Sequence, residues 1–116
     1  MVNSRSKGAR GERELARELT WVLGVDARRG QQFAGGPESP DIVLEDLKGV
    51  HIECKRVESL SLYKAMEQSI RDAGSNNIPT VMHKRNHKDW LVIVRLEDLP
   101  ALARRIVEFM EEQDNE

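Results

Sequence analysis

The sequence predicts a mixed α/β domain, a sheet with helices on its faces, in the order α-β-β-α-β-β-α. Three observations carry that expectation. Apolar residues recur at helical spacing in three segments, and short apolar runs bounded by turn residues lie between them. The chain has 116 residues, 39% of them apolar, enough for one core and too few for two.

Residues 1–8 read as a flexible basic arm. A helix follows over Ala9–Leu23, with Leu15, Ala16, Leu19, Val22 and Leu23 as its buried stripe, and Gly24 stops it. Residues 26–40 read as loop, because Gly30, Gly35, Gly36, Pro37, Ser39 and Pro40 break any period. Ile42–Leu44 and Val50–Val57 form a hairpin around Asp46–Gly49. A second helix covers residues 60–73, with Tyr63, Met66, Ile70 and Ala73 on one face, and Gly74–Asn77 ends it. Pro79–His83 is a strand, residues 84–89 a polar turn, and Trp90–Val94 an unbroken apolar run, the pattern of a strand covered on both faces. Asp98 caps a last helix that turns Leu99, Leu102, Ile106, Phe109 and Met110 inward, so that residues 98–116 form a C-terminal helix and acidic tail on a single domain spanning 1–116.

Composition excludes several classes. The single cysteine, Cys54, allows no intrachain disulfide, in keeping with a reducing compartment. No apolar run approaches the roughly 18 residues of a membrane span, and residues 1–10 lack the apolar region of a signal peptide, so an intracellular, cytoplasmic protein is expected. Aromatic residues make up only 4%, too few for a base-stacking platform. The net charge is −2, yet Arg5, Lys7, Arg10, Arg13, Arg17, Arg28 and Arg29 crowd the front, and Lys84, Arg85 and Lys88 form a second basic cluster. Acid gathers at the back, in Glu108, Glu111, Glu112, Asp114 and Glu116. Such a distribution can bind a polyanion despite the overall sign, although each charge run also suits a solvated face.

Three acids and a lysine carry the chemistry. Glu12 precedes Leu15, Ala16 and Leu19 by three, four and seven residues, which puts it on the buried face of the first helix. An inward carboxylate is costly without a partner or a metal; alone, it also fits the acid-rich start of a helix. In His51-Ile52-Glu53-Cys54-Lys55 the strand alternation sets His51, Glu53, Lys55 and Val57 on one face and Val50, Ile52 and Cys54 on the other. Alone, Glu53 and Lys55 are an ordinary surface pair. Pro40 stiffens the entry to the first hairpin strand, so that Asp41 stands near Glu53; alone, Asp41 is a loop aspartate. Together, three carboxylates suit a hard divalent cation that can acidify water and polarise a phosphodiester, and a lysine beside them can orient that water or neutralise developing charge.

Pro40-Asp41 followed by Glu53-Cys54-Lys55 resembles the signature of the PD-(D/E)xK nucleases. The stretch Lys7-Gly8-Ala9-Arg10-Gly11-Glu12-Arg13-Glu14-Leu15 resembles the opening helix of archaeal-type Holliday-junction resolvases, and the arrangement is also similar to small phage-encoded nucleases. The resemblance covers about residues 5–95 and implies a restriction-endonuclease-like fold. It implies that Glu12, Asp41, Glu53 and the Cys54 backbone carbonyl bind Mg2+ or Mn2+, and that Lys55 positions the attacking water. It also implies that Gln68 supports the site, and that Arg10 and the loop with Arg28, Arg29 and Gln31 contact DNA phosphates; Lys7, Arg13, Lys84 and Arg85 join them on charge. The expected protein is a Mg-dependent deoxyribonuclease, a resolvase-like homodimer on branched DNA in recombination. The alternatives are a phage nuclease that nicks or trims duplex DNA without junction preference, and a non-catalytic DNA-binding module on a nuclease fold. The long glycine-rich loop before Asp41 and the helix after Val94 depart from the resolvase pattern.

His51, His83 and His87 match no familiar zinc spacing, although His51 shares a face with Glu53. Trp21 reads as a packing or partner-contact residue and Trp90 as core.

Overall fold

A computed structural model describes residues 4–30 and 40–114, with side chains from Gly8 onward. The elements run α1 (Ser4–Leu23), β1 (Ala27–Arg29), β2 (Ile42–Leu44), β3 (Val50–Arg56), α2 (Leu62–Ala73), β4 (Ile78–Lys84), β5 (Leu91–Val94), a 3-10 turn (Leu96–Asp98) and α3 (Leu99–Asp114). Among the described residues, five strands form one sheet in the order β1-β2-β3-β4-β5. Only β3 and β4 run parallel, joined by the α2 crossover, while the other pairs are antiparallel. This is the α/β architecture of a mixed sheet flanked by helices.

Each face of the sheet carries its own apolar layer. Leu15, Ala16 and Leu19 of α1 and Phe109 of α3 pack with Val25, Ile42, Leu44, Leu47, Ile52 and Met82. On the other face Ala65 and Met66 of α2 meet Val81, with Leu60, Ile70 and Ile93 around them. A buried polar chain ties α2 to the central strands: Ser69 Oγ donates to the Thr80 carbonyl at 2.8 Å, and Thr80 Oγ1 to the His51 carbonyl at 2.8 Å. Burying these hydroxyls without partners would cost energy, so the bonds fix the position of α2 along β3 and β4.

The structure departs from the sequence expectation in several places. Ala27–Arg29, expected as loop, is a strand; its three residues are too few to show a period, and only pairing with β2 makes them one. Helix α1 begins at Ser4, inside the segment expected to be a flexible arm, since a lone Gly8 is tolerated in a helix. Val22 is exposed rather than part of the stripe. On α2 the buried residues are Ala65, Met66, Ser69 and Ala73, and Tyr63 is 82% exposed. The inward face is rotated because it includes Ser69, a polar residue whose partner lies on β4. Strand β5 is an edge, with Leu91 and Val92 exposed, so its apolar run does not mean two covered faces. Leu99 and Met110 are exposed while Leu102 and Phe109 are buried, because α3 touches the core along a narrow line. Asp98, expected as a helix cap, closes the 3-10 turn, and its carboxylate accepts from Arg95 Nε at 2.8 Å.

Candidate active site

Asp41 is held in place by backbone bonds on both sides. Its N–H donates to the Ile52 carbonyl at 3.0 Å, and its carbonyl accepts from Gly30 N–H at 2.8 Å. Gly30 is required there: a Cβ would stand 2.1 Å from the Pro40 carbonyl oxygen. Strand β1 thus leads into the residue that clamps Pro40-Asp41 from outside. The Asp41 carboxylate accepts the Cys54 backbone N–H at 2.8 Å, which sets it across the hairpin beside Glu53.

Glu53 is buried on the α2-facing side of β3, where His51 Nε2 lies 2.8 Å from its Oε1. Asp72, the penultimate residue of α2, joins them: ligand atoms of His51, Glu53 and Asp72 all lie within 4.8 Å of one another, a group that could hold a metal ion. Lys55, two residues along β3, donates from Nζ to Gln68 Oε1 at 3.2 Å. Gln68 and Asp72 are four apart on α2 and so share a face. Ser69 between them anchors that face to β4.

Electrostatics mark the cluster. Burial, opposed by the Cys54 hydrogen bond but reinforced by the negative charges of Glu53 and Glu12, pushes the Asp41 carboxyl up to about 7. Glu53 goes the other way: burial raises it, but the hydrogen bond and charge of His51, the charge of Lys55 and a hydrogen bond from Asp41 together hold it below the ordinary value. Asp72 is raised by desolvation and by its contact with Glu53. Carboxylates this crowded resist simultaneous ionisation, and a hard cation relieves that conflict, so the oxygen donor set fits a divalent metal. Burial and the charges of Asp41, Glu12 and Glu14 push the Cys54 thiol up to about 12, leaving its backbone as its part in the site.

Glu12 and the basic residues are placed less as expected. Glu12, half-buried on α1, lies close enough to Asp41 to raise its pKa, but its carboxylate accepts from Arg29 Nε at 2.8 Å. Arg28 pairs with Glu45, and Lys84 donates to Glu14 at 3.1 Å. These three expected phosphate contacts are therefore engaged within the chain. Although partial burial opposes it, hydrogen bonds and charges from Lys84 and Arg56 hold Glu14 below the usual carboxylate range. Arg10, Arg13 and Arg85 are exposed. The Lys7 side chain, Gln31 and the glycine-rich stretch 32–39 lie outside the described residues.

Sequence reasoning missed Asp72. Its signal was the spacing from Gln68, which places both on one helical face, but nothing in the sequence aims that face at β3.

A family model described as "Phage putative PDDEXK endonuclease" matches residues 3–113. The chain belongs to this family. It is therefore a nuclease of the PD-(D/E)xK superfamily, and its mixed sheet flanked by helices is consistent with a restriction-endonuclease-like fold. No curated protein and no solved structure matches the chain. Among the described residues no helix of this nuclease is long and apolar enough to cross a membrane.

Proposed function

We propose that this nuclease is a divalent-metal-dependent endonuclease hydrolysing DNA phosphodiesters, a resolvase-like homodimer that cuts branched DNA in the cytoplasm. One observation supports the chemistry above the rest: the Cys54 N–H bond sets Asp41 beside Glu53, while Lys55 stands two residues along the same strand, next to Gln68. Asp41, Glu53 and the Cys54 carbonyl would hold Mg2+ or Mn2+, with Glu12 joining from α1. When bound, the cation would supply Lewis acidity at the phosphodiester and lower the pKa of water beside it.

The protein's own groups do the rest. Lys55, steadied by Gln68, orients the attacking water or offsets charge growing on the phosphate. His51 fixes one Glu53 oxygen, so that the carboxylate keeps a single orientation. Arg10, Arg13 and Arg85 offer exposed cations to the DNA backbone. Symmetric incision needs two sites related by a two-fold, and one chain supplies one.

The matched family is described as phage endonucleases, which is compatible with a second reading, a phage nuclease that nicks or trims duplex DNA without junction preference. A labelled four-way junction and a linear duplex of the same sequence, incubated with Mg2+, separate the two. Cutting by the wild type but not by Lys55→Ala or Asp41→Ala, both still folded, supports the nuclease site, and the ratio of the substrates decides junction preference. Salt-sensitive binding with no cutting in Mg2+ or Mn2+ would leave a binding module on a nuclease fold.

A further inference from the structure

The sheet ends in two unlike edges. At one, β1 has three residues, two of them arginines, and Arg28 and Arg29 are tied to Glu45 and Glu12. Charge and brevity protect such an edge against further pairing. At the other, β5 is Leu91-Val92-Ile93-Val94, with no charge in the strand. Among the described residues no strand neighbours its outer backbone groups, since the sheet order ends there. Leu91 and Val92 are 57% and 54% exposed. As consecutive residues they point to opposite faces of the sheet.

A groove flanks β5 on each face. One, of about 540 Å³, runs between α1 and the β4–β5 hairpin, where Leu19, Val22, Trp90 and Val92 line it together with charged residues such as Glu14, Glu18 and Lys88. The other, of about 790 Å³, is lined by Leu60, Leu62, Leu91 and Ile93 and by charged residues such as Glu58, Arg85 and Lys88. An occupant that satisfies both the open backbone and the two grooves is an extended strand with apolar side chains on both sides. That describes β5 itself.

We propose that β5 is the interface between two copies of this chain, pairing antiparallel with the partner's β5 to give a continuous ten-stranded sheet. A two-fold perpendicular to the sheet keeps equivalent faces together, so opposed residues must share a face. Centred on Val92, the pairing sets Val92 opposite the partner's Val92 and Leu91 opposite the partner's Ile93. Just beyond the strand ends it sets Asp89 opposite the partner's Arg95, whose Nε already donates to Asp98 within its own chain, so that Asp89 adds a second carboxylate to that guanidinium, an attractive contact formed twice. Moving the centre to Ile93 would instead oppose Asp89 to the partner's Glu97, which is repulsive. Charge therefore selects the register that the apolar strand leaves open. With strands about 4.8 Å apart, β3 and the partner's β3 lie five steps, roughly 24 Å, from each other. The two sites then belong to one rigid sheet. This arrangement deepens the homodimer reading above, yet its test measures association and needs no cleavage.

The test is the mass of the metal-free chain by light scattering, for wild type and Val92→Lys, with a cysteine cross-link as second measurement. The wild type should run at twice 13.2 kDa, and Val92→Lys as a folded monomer. Directly opposed Cβ atoms in an antiparallel pair lie about 4.5–5.5 Å apart, close enough for small backbone adjustment to allow a disulfide. Val92→Cys should therefore give an interchain disulfide under mild oxidation and Val94→Cys should not. Asp89→Arg and Arg95→Asp should each weaken the dimer, and the double exchange should restore it. A wild type that stays monomeric at about 100 μM overturns the proposal. So does a dimer that survives Val92→Lys, and so does a Val92→Cys dimer without the cross-link.

Discussion

Along β3, Val50, Ile52 and Cys54 face α1 and share the larger apolar layer, whereas His51, Glu53 and Lys55 face α2 and are held by hydrogen bonds. Both faces are buried for much of their length, since Ile52, His51 and Glu53 are all almost without solvent contact. The apolar face from Val50 to Cys54 is satisfied mainly by packing. On the polar face each group needs a specified partner, and α2 and the hairpin provide them. The first face therefore sets whether the chain folds, and the second sets what it can do. Because the faces alternate residue by residue, substitutions one position apart should separate these roles.

The largest separation is expected at Glu53. Glu53→Gln keeps the shape but removes the charge beside Asp41, and should lower Mg2+-dependent cleavage by about 10³-fold with little loss of fold. Cleavage within tenfold of wild type in a single-turnover assay would remove Glu53 from the site. Its neighbour should behave in the opposite way. Ile52→Ala leaves a cavity against α1 and should cost about 2–5 kcal/mol of unfolding free energy in urea titration, while activity per folded molecule stays near wild type. Should Ile52→Ala prove inactive yet stable, the division between the faces fails.

His51 sharpens the comparison, because it is buried on the polar face and touches Glu53 directly. His51→Ala should weaken Mn2+ binding by about 10–100-fold in calorimetric titration, and His51→Gln, which can still donate to Glu53, should recover part of that loss. Equal affinities in all three proteins would reduce His51 to packing.

The smallest effect is on the pH dependence of stability without added metal. The Asp41 carboxyl stands at about 7 in the fold against 3.8 ordinarily, so the folded state binds this proton more tightly than the unfolded chain does. Its contribution to stability is complete below about 4 and is lost as pH rises through about 7. Asp41→Asn removes that loss. In chelator, the melting temperature of the variant should gain on wild type by a few degrees between pH 4 and 8, with Glu14 affecting both proteins alike. Parallel curves would contradict the burial of Asp41 among other carboxylates.

Much of this was legible in one dimension. The acid on the first helix, the acid that opens the hairpin and the Glu53-Lys55 pair could be named from spacing, because strand and helix periods fix which residues share a face. The hairpin turn at Asp46–Gly49 and the β4–β5 turn were legible for the same reason, since turn chemistry is local. Three features were not. Asp72 and the buried Ser69 required the docking of α2 on β4, and β1 became a strand only through pairing with β2.

By itself, then, the sequence determined the periodic content of the protein: which residues alternate, which helix faces are apolar, and which chemical groups lie within one turn or one hairpin of each other. The tertiary structure decided the rest. It placed Glu12 against Arg29, opened β5 at the edge while covering β3 on both faces, and brought Asp72 to Glu53 across 19 positions of the chain. The physical reason is the range of the interactions. Periodicity and turn chemistry act over a few residues, whereas burial and ion pairing depend on which elements the whole sheet brings together.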